Sequence, residues 1–508
     1  MSASVETNTP SMENINIGWK RFGLGIILSV LSGIFLLLSF PPYGIWPLVW
    51  IALIPARIAQ HRLFPLKWSS LGESITILVW LGPFLGRLFG TEFGPFFTYL
   101  GVLIAILVFF IASERKFHEK TGYRWYVLNG MTGWVGFEMI RATFIPLVAT
   151  SGFIGYTLAS QAWLIQPVSI FSVYGLNLLI IMVNYAVSAV VIGWLDRRMK
   201  FSGTVPMEKK TISKWLVISG SVLAGWIAVS LVILSSGNAS PKLKVSALQP
   251  NYIKPAFQDT TTTDISRLED LTKWVTEAAA KDSQIIFTPE MMFNFDPQEN
   301  YKSELQALAK EKSIYMFLDY TFAVEGQPWR NEAVLLGSDG KFYSPAYAKN
   351  HAPPGEPLSP TAGTYPVYDT PLGRLAAMIC HDANYTDVAR KLTANGAQLI
   401  SVGLNEFGGF GEQFWTNATF RAVENQVAVV VTSRQTGSAI IDAHGRQKAL
   451  DLSPNKQVVL TGEVNIGSGP TIYTRVGDIL GWISLAGMIF FIIFQAIIQG
   501  KVKKERKA

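Results

Sequence analysis

Ala376-Ala377-Met378-Ile379-Cys380-His381-Asp382 is an apolar run that stops on a thiol, with two polar side chains directly after it. A short apolar run of this kind reads as a buried strand, which puts the thiol where a strand gives way to a loop. Cys380 is the only cysteine in 508 residues, so no intramolecular disulfide can form and a cysteine-rich metal site is excluded. A lone cysteine is most often a small buried hydrophobe. Its place at a strand end, with two titratable residues on similar junctions upstream, points instead to chemistry.

Working outward, the chain from Lys242 onward alternates short strands with amphipathic helices. Strands are predicted at 243–249, 284–288, 313–320, 332–337, 346–349, 372–379, 398–402, 430–432, 439–442 and 457–463, and helices at 265–280, 385–395 and 413–427. Ser338-Asp339-Gly340-Lys341 is a hairpin turn, and 351–360 is a loop rich in Pro and Gly. The mixture predicts a layered α/β domain with a substantial core. Glu290, Lys349 and Cys380 each stand where an extended run ends, the position at which active sites gather in such folds. A thiol with a pKa of about 8.5 is mostly protonated at neutral pH, so a nucleophilic cysteine needs a base or a cation. Glu290 is suited to take the proton, and Lys349 to stabilise the thiolate and a tetrahedral oxyanion. Taken singly, Glu290 is equally a helix N-terminal acid, and Lys349 a solvated surface charge.

The remainder of the chain is of another kind. Overall, 49% of residues are hydrophobic and 16% charged, with a mean hydropathy of +0.28, too apolar for an ordinary soluble enzyme. Apolar segments suited to membrane helices lie near 22–40, 44–58, 71–89, 96–111, 125–148, 164–194 and 215–235, with another near 476–499. The first is too long, and too poorly followed by a cleavage site, for a removed signal peptide. The net charge of +7 does not form a phosphate-binding face, so nucleic acid is not an expected partner. Its basic residues cluster between alternate apolar runs: Lys20 and Arg21, then Arg57, Arg62 and Lys67, then Arg115, Lys116, Lys120 and Arg124, then 197–214, then the last residues. By the positive-inside rule these segments are cytoplasmic. The predicted organisation is a disordered tail 1–20, a seven-helix membrane domain 21–237, an extracytoplasmic α/β domain 238–474, a final helix 475–499 and a basic tail 500–508. Glu138 and Arg141 are charged residues within one span, three positions apart; mutual neutralisation is the expectation, and an ion path the alternative.

Several stretches resemble the nitrilase, or carbon–nitrogen hydrolase, superfamily: Ala247-Leu248-Gln249-Pro250-Asn251, Thr288-Pro289-Glu290, Arg330-Asn331-Glu332-Ala333, Tyr347-Ala348-Lys349-Asn350-His351, Gly355-Glu356, Met378–Asp382, Arg421-Ala422-Val423-Glu424-Asn425 and Thr432–Gly437. The flanking spans, the turn Ser39-Phe40-Pro41-Pro42-Tyr43-Gly44 and the exit Tyr473-Thr474-Arg475-Val476-Gly477-Asp478 are similar to the membrane-bound branch of that superfamily, the bacterial apolipoprotein N-acyltransferases.

The resemblance implies an αββα sandwich carrying a Glu290–Lys349–Cys380 triad, with Glu356 as the second glutamate and His381 and Asp382 in supporting or substrate-binding places. It implies an acyl chain taken from a phospholipid onto Cys380 as a thioester, then passed to the α-amine of a diacylglyceryl-modified lipoprotein, at the outer face of the bacterial cell membrane. Neither metal nor organic cofactor is implied. The chain departs from the family in having His381-Asp382 where Tyr-Glu is usual and Met291-Met292 after the glutamate. Ser151–Tyr156 also lacks the usual Pro-Trp, and Asn405-Glu406-Phe407-Gly408-Gly409-Phe410 replaces an Asn-Asp-Ala-Trp-Phe type of loop. Two alternatives stay open: a membrane-anchored amidase or acyltransferase with another substrate, and a non-catalytic lipid- or partner-binding protein.

Overall fold

The computed structural model describes residues 18–505 apart from 89, 112–113, 147, 200, 202–203, 237–240, 323–325 and 407–408. Most of the expected tail 1–20, the boundary expected at 237–238 and the end of the basic tail lie outside the described residues. Apolar helices run over α1 Trp19–Ser39, α2 Leu71–Leu88, α3 Gly90–Ile111, α4 Tyr126–Phe144, α5 Val168–Met199 and α6 Lys209–Ser235. Beyond the α/β domain comes a further long helix, Ile479–Glu505. Among the described residues, five helices are long and apolar enough to cross a membrane. Their outward faces carry exposed Leu24, Ile27, Val217, Val232, Ile483 and Ile492, the composition a lipid-facing surface requires.

The segment expected at 44–58 as one span is instead a broken run: a 3₁₀ turn Trp46–Trp50, a single α-turn Ile54–Ile58 and a π-turn Ala59–Leu63. Pro47 and Pro55 lack the N–H that a continuous ladder needs, and each sits in the first turn of its short piece. The sixth expected span is divided at Pro167 into Ala162–Ile165 and α5. Glu138 and Arg141 make no direct ion pair among the described residues, and each bonds other partners. Glu138 accepts from Asn177 Nδ2 at 2.6 Å and Trp134 Nε1 at 3.1 Å, while Arg141 donates to the Ser151 carbonyl.

The loops of the bundle sort to two ends. At one end Arg62 is paired with Asp196, Arg57 with Glu114, and Arg115 with Glu119 while also bonding the Phe64 carbonyl. At the other, Arg87 meets Glu412, Pro146 O meets His381, Thr150 meets Asn384 and Ala159 O meets Gln447. The α/β domain therefore sits on the end opposite the basic loops.

That domain holds two six-stranded sheets. The first contains β1 Lys242–Gln249, β2 Ile285–Phe287, β3 Tyr315–Phe322, β4 Arg330–Leu336 and β5 Tyr347–Ala348; the second contains β6 Tyr368–Thr370, β7 Gly373–Ile379, β8 Leu399–Leu404, β9 Ala428–Ser433, β10 Ser438–Ile441 and β11 Gln447–Asp451. The last strand, β12 Val458–Asn465, returns to pair antiparallel with β1. β6 and β11 add to the strands expected. The centres are parallel triples, β1–β2–β3 and β7–β8–β9. Alternation along each strand divides the side chains: Ile285, Phe287, Phe317 and Leu335 face one core, and Ile286, Met316, Leu318 and Val334 the other.

Helices Asp264–Ala280 (α7) and Lys302–Lys312 (α8) cover that second face through Leu271, Trp274, Val275, Leu305 and Leu308. Thr263 caps α7 by accepting from Ser266 N at 3.2 Å. On the far side of the second sheet, Asp387–Ala394 (α9) and Gly409–Asn425 (α10) complete the αββα order and lie between sheet and membrane helices. There Glu424 accepts from Val173 N at 3.0 Å. Counting on, the helix Ile479–Glu505 is α11.

Beneath the strand ends the two sheets touch through Gly403 of β8. A Cβ at this position would stand 2.3 Å from Asp319 Oδ1 and 3.0 Å from Glu290 N. Gly403→Ala is therefore expected to cost about 1–3 kcal/mol by overpacking and to displace Glu290. A lowered Tm together with a fall in activity checks it; an unchanged Tm refutes it.

Candidate active site

Glu290 follows β2 by three residues, and Lys349 directly follows β5. Both are buried, and they meet at 2.8 Å between Nζ and Oε1. Lys349 Nζ also donates to Glu356 Oε1 at 3.1 Å and Oε2 at 3.0 Å. Asn331 of β4 bridges the acids, its Nδ2 lying 2.8 Å from Glu290 Oε1 and 2.8 Å from Glu356 Oε1. The remaining Glu290 oxygen accepts from Asn405 N at 2.9 Å. Burial opposes the Lys349 charge, but Glu290, Cys380 and Glu356 outweigh it and hold its pKa well above the ordinary lysine value. Burial raises the Glu356 pKa against the pull of Lys349.

Cys380 ends β7 and opens a 3₁₀ turn, Cys380–Asn384, with φ of 46°. A non-glycine residue in that region is uncommon and strained, a feature concentrated at functional sites. The residue is 8% exposed, so its thiol is buried away from bulk water. Burial, then the charges of Glu290 and Glu406, push its pKa well above the usual thiol value despite Lys349. The Sγ donates at 3.2 Å to Glu406 Oε1, just past the end of β8. Sequence reasoning assigned no role to Asn331 or Glu406. Asn331 lies within Arg330-Asn331-Glu332-Ala333, and Asn405-Glu406 is a second polar pair closing an apolar strand, the signal that singled out Cys380.

The two residues after Cys380 bond other parts of the chain. Asp382 is fully buried and accepts four bonds: Oδ1 from His351 N at 2.7 Å and Asn350 N at 3.1 Å, Oδ2 from Tyr347 Oη at 2.6 Å and Ile379 N at 3.0 Å. It thereby ties the Cys380 turn to the chain around Lys349. Asp382→Asn turns one oxygen into a donor facing donors and is expected to cost about 1–3 kcal/mol. Thermal unfolding and turnover of the variant check this; a variant matching the parent in both refutes it.

His381 approaches Pro146 O through Nε2 at 2.7 Å and Asn384 Nδ2 through Nδ1 at 3.0 Å. One neutral tautomer satisfies both contacts. Burial lowers its pKa to about 4. Because the unfolded residue takes up a proton first, the stability that goes with the neutral buried ring is present in full above about pH 6.5 and is lost as pH falls toward 4. Melting curves at pH 7 and 4.5 should show a smaller acid-side drop for His381→Gln than for the parent.

The description of the carbon–nitrogen hydrolase family matches residues 244–469, and that of the apolipoprotein N-acyltransferase N-terminal domain matches residues 32–186. The second carries the assignment past the α/β domain into the membrane helices. Together the two matches liken the chain to the apolipoprotein N-acyltransferases across both its membrane helices and its α/β domain. Among its relatives, the apolipoprotein N-acyltransferase of Geobacter metallireducens is 28% identical, over 91% of this chain and 93% of that one. The Thermotoga maritima protein of that name is 25% identical over 92% and 93%. Among solved structures, Saccharomyces cerevisiae Nit3, of the nitrilase superfamily, covers 44% of this chain and 90% of its own at 19% identity, with a TM-score of 0.38. No group of three or more His, Cys, Asp or Glu suited to a metal ion occurs among the described residues.

Proposed function

We propose that this protein is a lipoprotein N-acyltransferase of the cell membrane, moving an acyl chain from a phospholipid through a Cys380 thioester to the α-amine of a diacylglyceryl-cysteine lipoprotein. The observation that carries this reading is the anchorage of the nucleophile's own turn. His381 and Asn384 bond Pro146 O and Thr150 of the membrane domain, so Cys380 stands at the junction of a hydrolase-type site and a lipid-facing bundle. The positive-inside pattern supports basic loops in the cytoplasm and a site on the opposite, extracytoplasmic side.

In the first half-reaction Cys380 Sγ attacks the ester carbonyl carbon, and the lysophospholipid oxygen leaves. A carboxylate beside Sγ takes the thiol proton and hands it to that alkoxide. Lys349, held charged between Glu290 and Glu356, supplies the positive field for the oxyanion. In the second, the neutral amine attacks the thioester, its surplus proton passes to Glu290, and the departing thiolate is protonated in turn. The chain thus ends each cycle with a thiol.

The test is incubation of the purified protein with phospholipid labelled in its acyl chain, followed by a diacylglyceryl lipopeptide. A Cys380-dependent thioester that transfers its label to the peptide amine supports the proposal. Cleavage without transfer favours an amidase or another acyltransferase, and the lack of any adduct favours a binding protein.

A further inference from the structure

Among the described residues, the hydrogen bond that the Glu406 carboxylate accepts comes from the Cys380 thiol, with Sγ and Oε1 3.2 Å apart. The first half-reaction consumes that S–H. The carboxylate is then left beside a thioester without its donor and under the repulsion of Glu290, a costly state for an acid screened from water. We propose that Glu406, with Asn405 Oδ1, binds the α-ammonium of the acceptor lipoprotein, and so admits the amine once Cys380 is acylated. The proposal rests on the acyl-transfer reading of Cys380 and deepens it by naming the group that recognises the acceptor. The thiol proton stays with Glu290, whose charge weighs on the thiol ahead of that of Glu406.

Placement supports the assignment. β8 pairs in parallel with β7, Ile379 opposite Gly403, so the residues that follow the two strands are neighbours. Glu406 is half-buried and Glu290 buried, so of the two acids Glu406 is the one a large acceptor reaches first. Asn405 is fixed by its own N–H, which bonds Glu290 Oε2 at 2.9 Å. Its Oδ1 is a buried acceptor with no partner among the described residues. A carboxylate about to lose its donor and an unused amide oxygen one residue apart call for a ligand rich in N–H groups. Lys349 does not fill that place, because its Nζ donates to Glu290 and Glu356.

Charge agrees with placement. Burial lifts the Glu406 pKa to about 7 against the pull of the thiol hydrogen bond. An α-amino group, with a pKa of about 7.7–8.0, is largely ammonium at neutral pH, so the pair meets with opposite charges and closely matched proton affinities. The bound ammonium gives one proton to water through Glu406. The N–C bond to the acyl carbon then forms as the C–S bond breaks, and the second proton passes by way of Glu290 to the departing thiolate.

The experiment follows both half-reactions in the full-length protein in detergent at pH 7, with phospholipid labelled in its acyl chain as donor and a diacylglyceryl lipopeptide as acceptor. In Glu406→Gln, kcat/KM for the lipopeptide should fall about 10–100-fold relative to the rate of thioester formation, the scale of one charge-assisted hydrogen bond. KM should carry most of that loss, and Glu406→Asp should recover part of it. Binding supplies a readout that a merely structural role would not move. Cys380→Ala removes the S–H as acylation does, and it should bind the lipopeptide about 10–100-fold more tightly than an analogue with hydrogen in place of the α-amine. Cys380→Ala/Glu406→Gln should bind the two alike.

Thioester formation that falls as far as transfer, or an amine preference kept in Cys380→Ala/Glu406→Gln, overturns the proposal. So does a loss confined to thioester formation from phosphatidylethanolamine and missing with phosphatidylglycerol, which would give the ammonium contact to the donor's headgroup. Failure of the parent to form any lipid-derived thioester would refute acyl transfer itself, and the proposal with it.

Discussion

Cys380→Ser is expected to abolish the acyl-enzyme and lower transfer by on the order of 10⁴-fold or more, the scale of losing a nucleophile from a concerted set. A hydroxyl is far harder to ionise than a thiol, and a carboxylate is too weak a base to offset the difference. The fold should survive. Serine has almost the same shape, its Oγ can keep the bond to Glu406, and the strained φ of 46° at this position is set by the Asp382 bonds to Ile379 N, Asn350 N and His351 N. Acyl-chain label in the protein band, removable by neutral hydroxylamine, should appear in the parent and be missing from the variant at equal Tm. Label persisting at parental levels in Cys380→Ser would place the acyl chain on another residue and remove Cys380 from the mechanism.

The sequence makes Cys380, Glu290 and Lys349 legible because each closes an extended run, a local pattern readable without knowing what lies opposite. Asn331 and Glu406 are not legible in that way. Asn331 reaches Glu290 and Glu356 only because β4 pairs with β5 in the register that also joins Lys349 N to Asn331 O at 3.0 Å. Glu406 reaches Cys380 only because β8 lies beside β7. Both depend on strand pairing across long stretches of chain, which no local pattern encodes. His381 shows the same limit, since the carbonyl it meets, Pro146 O, lies in the membrane domain 235 positions away. The membrane half was legible where hydropathy alone decides. It failed at Trp46–Leu63, where prolines break an apolar stretch into short turns that the surrounding helices stabilise.

Lys349→Met should be less damaging for activity than Cys380→Ser and more damaging for stability. Its Nζ lies between Glu290 and Glu356, each within 3.0 Å, and without it the buried Glu290 and the half-buried Glu356 share only the Asn331 amide. Removing one partner from a buried ion pair leaves an uncompensated charge and typically costs about 3–5 kcal/mol. One of the two acids will relieve this by staying protonated at neutral pH. The lost positive field should separately slow acylation by about 10²–10³-fold.

The two effects are separable because they involve different partners. In Lys349→Met/Glu356→Gln the repulsion between the acids is gone, and Tm should return most of the way to the parent, the coupling expected of residues in direct contact. Acylation should stay down, since nothing in the double variant faces the oxyanion with positive charge. Lys349→Arg is not expected to rescue it, because a planar guanidinium is too broad for a site shaped around an ammonium. If acylation rises in step with Tm in the double variant, Lys349 holds the site together without touching the reaction, and the oxyanion must be stabilised by backbone N–H groups alone.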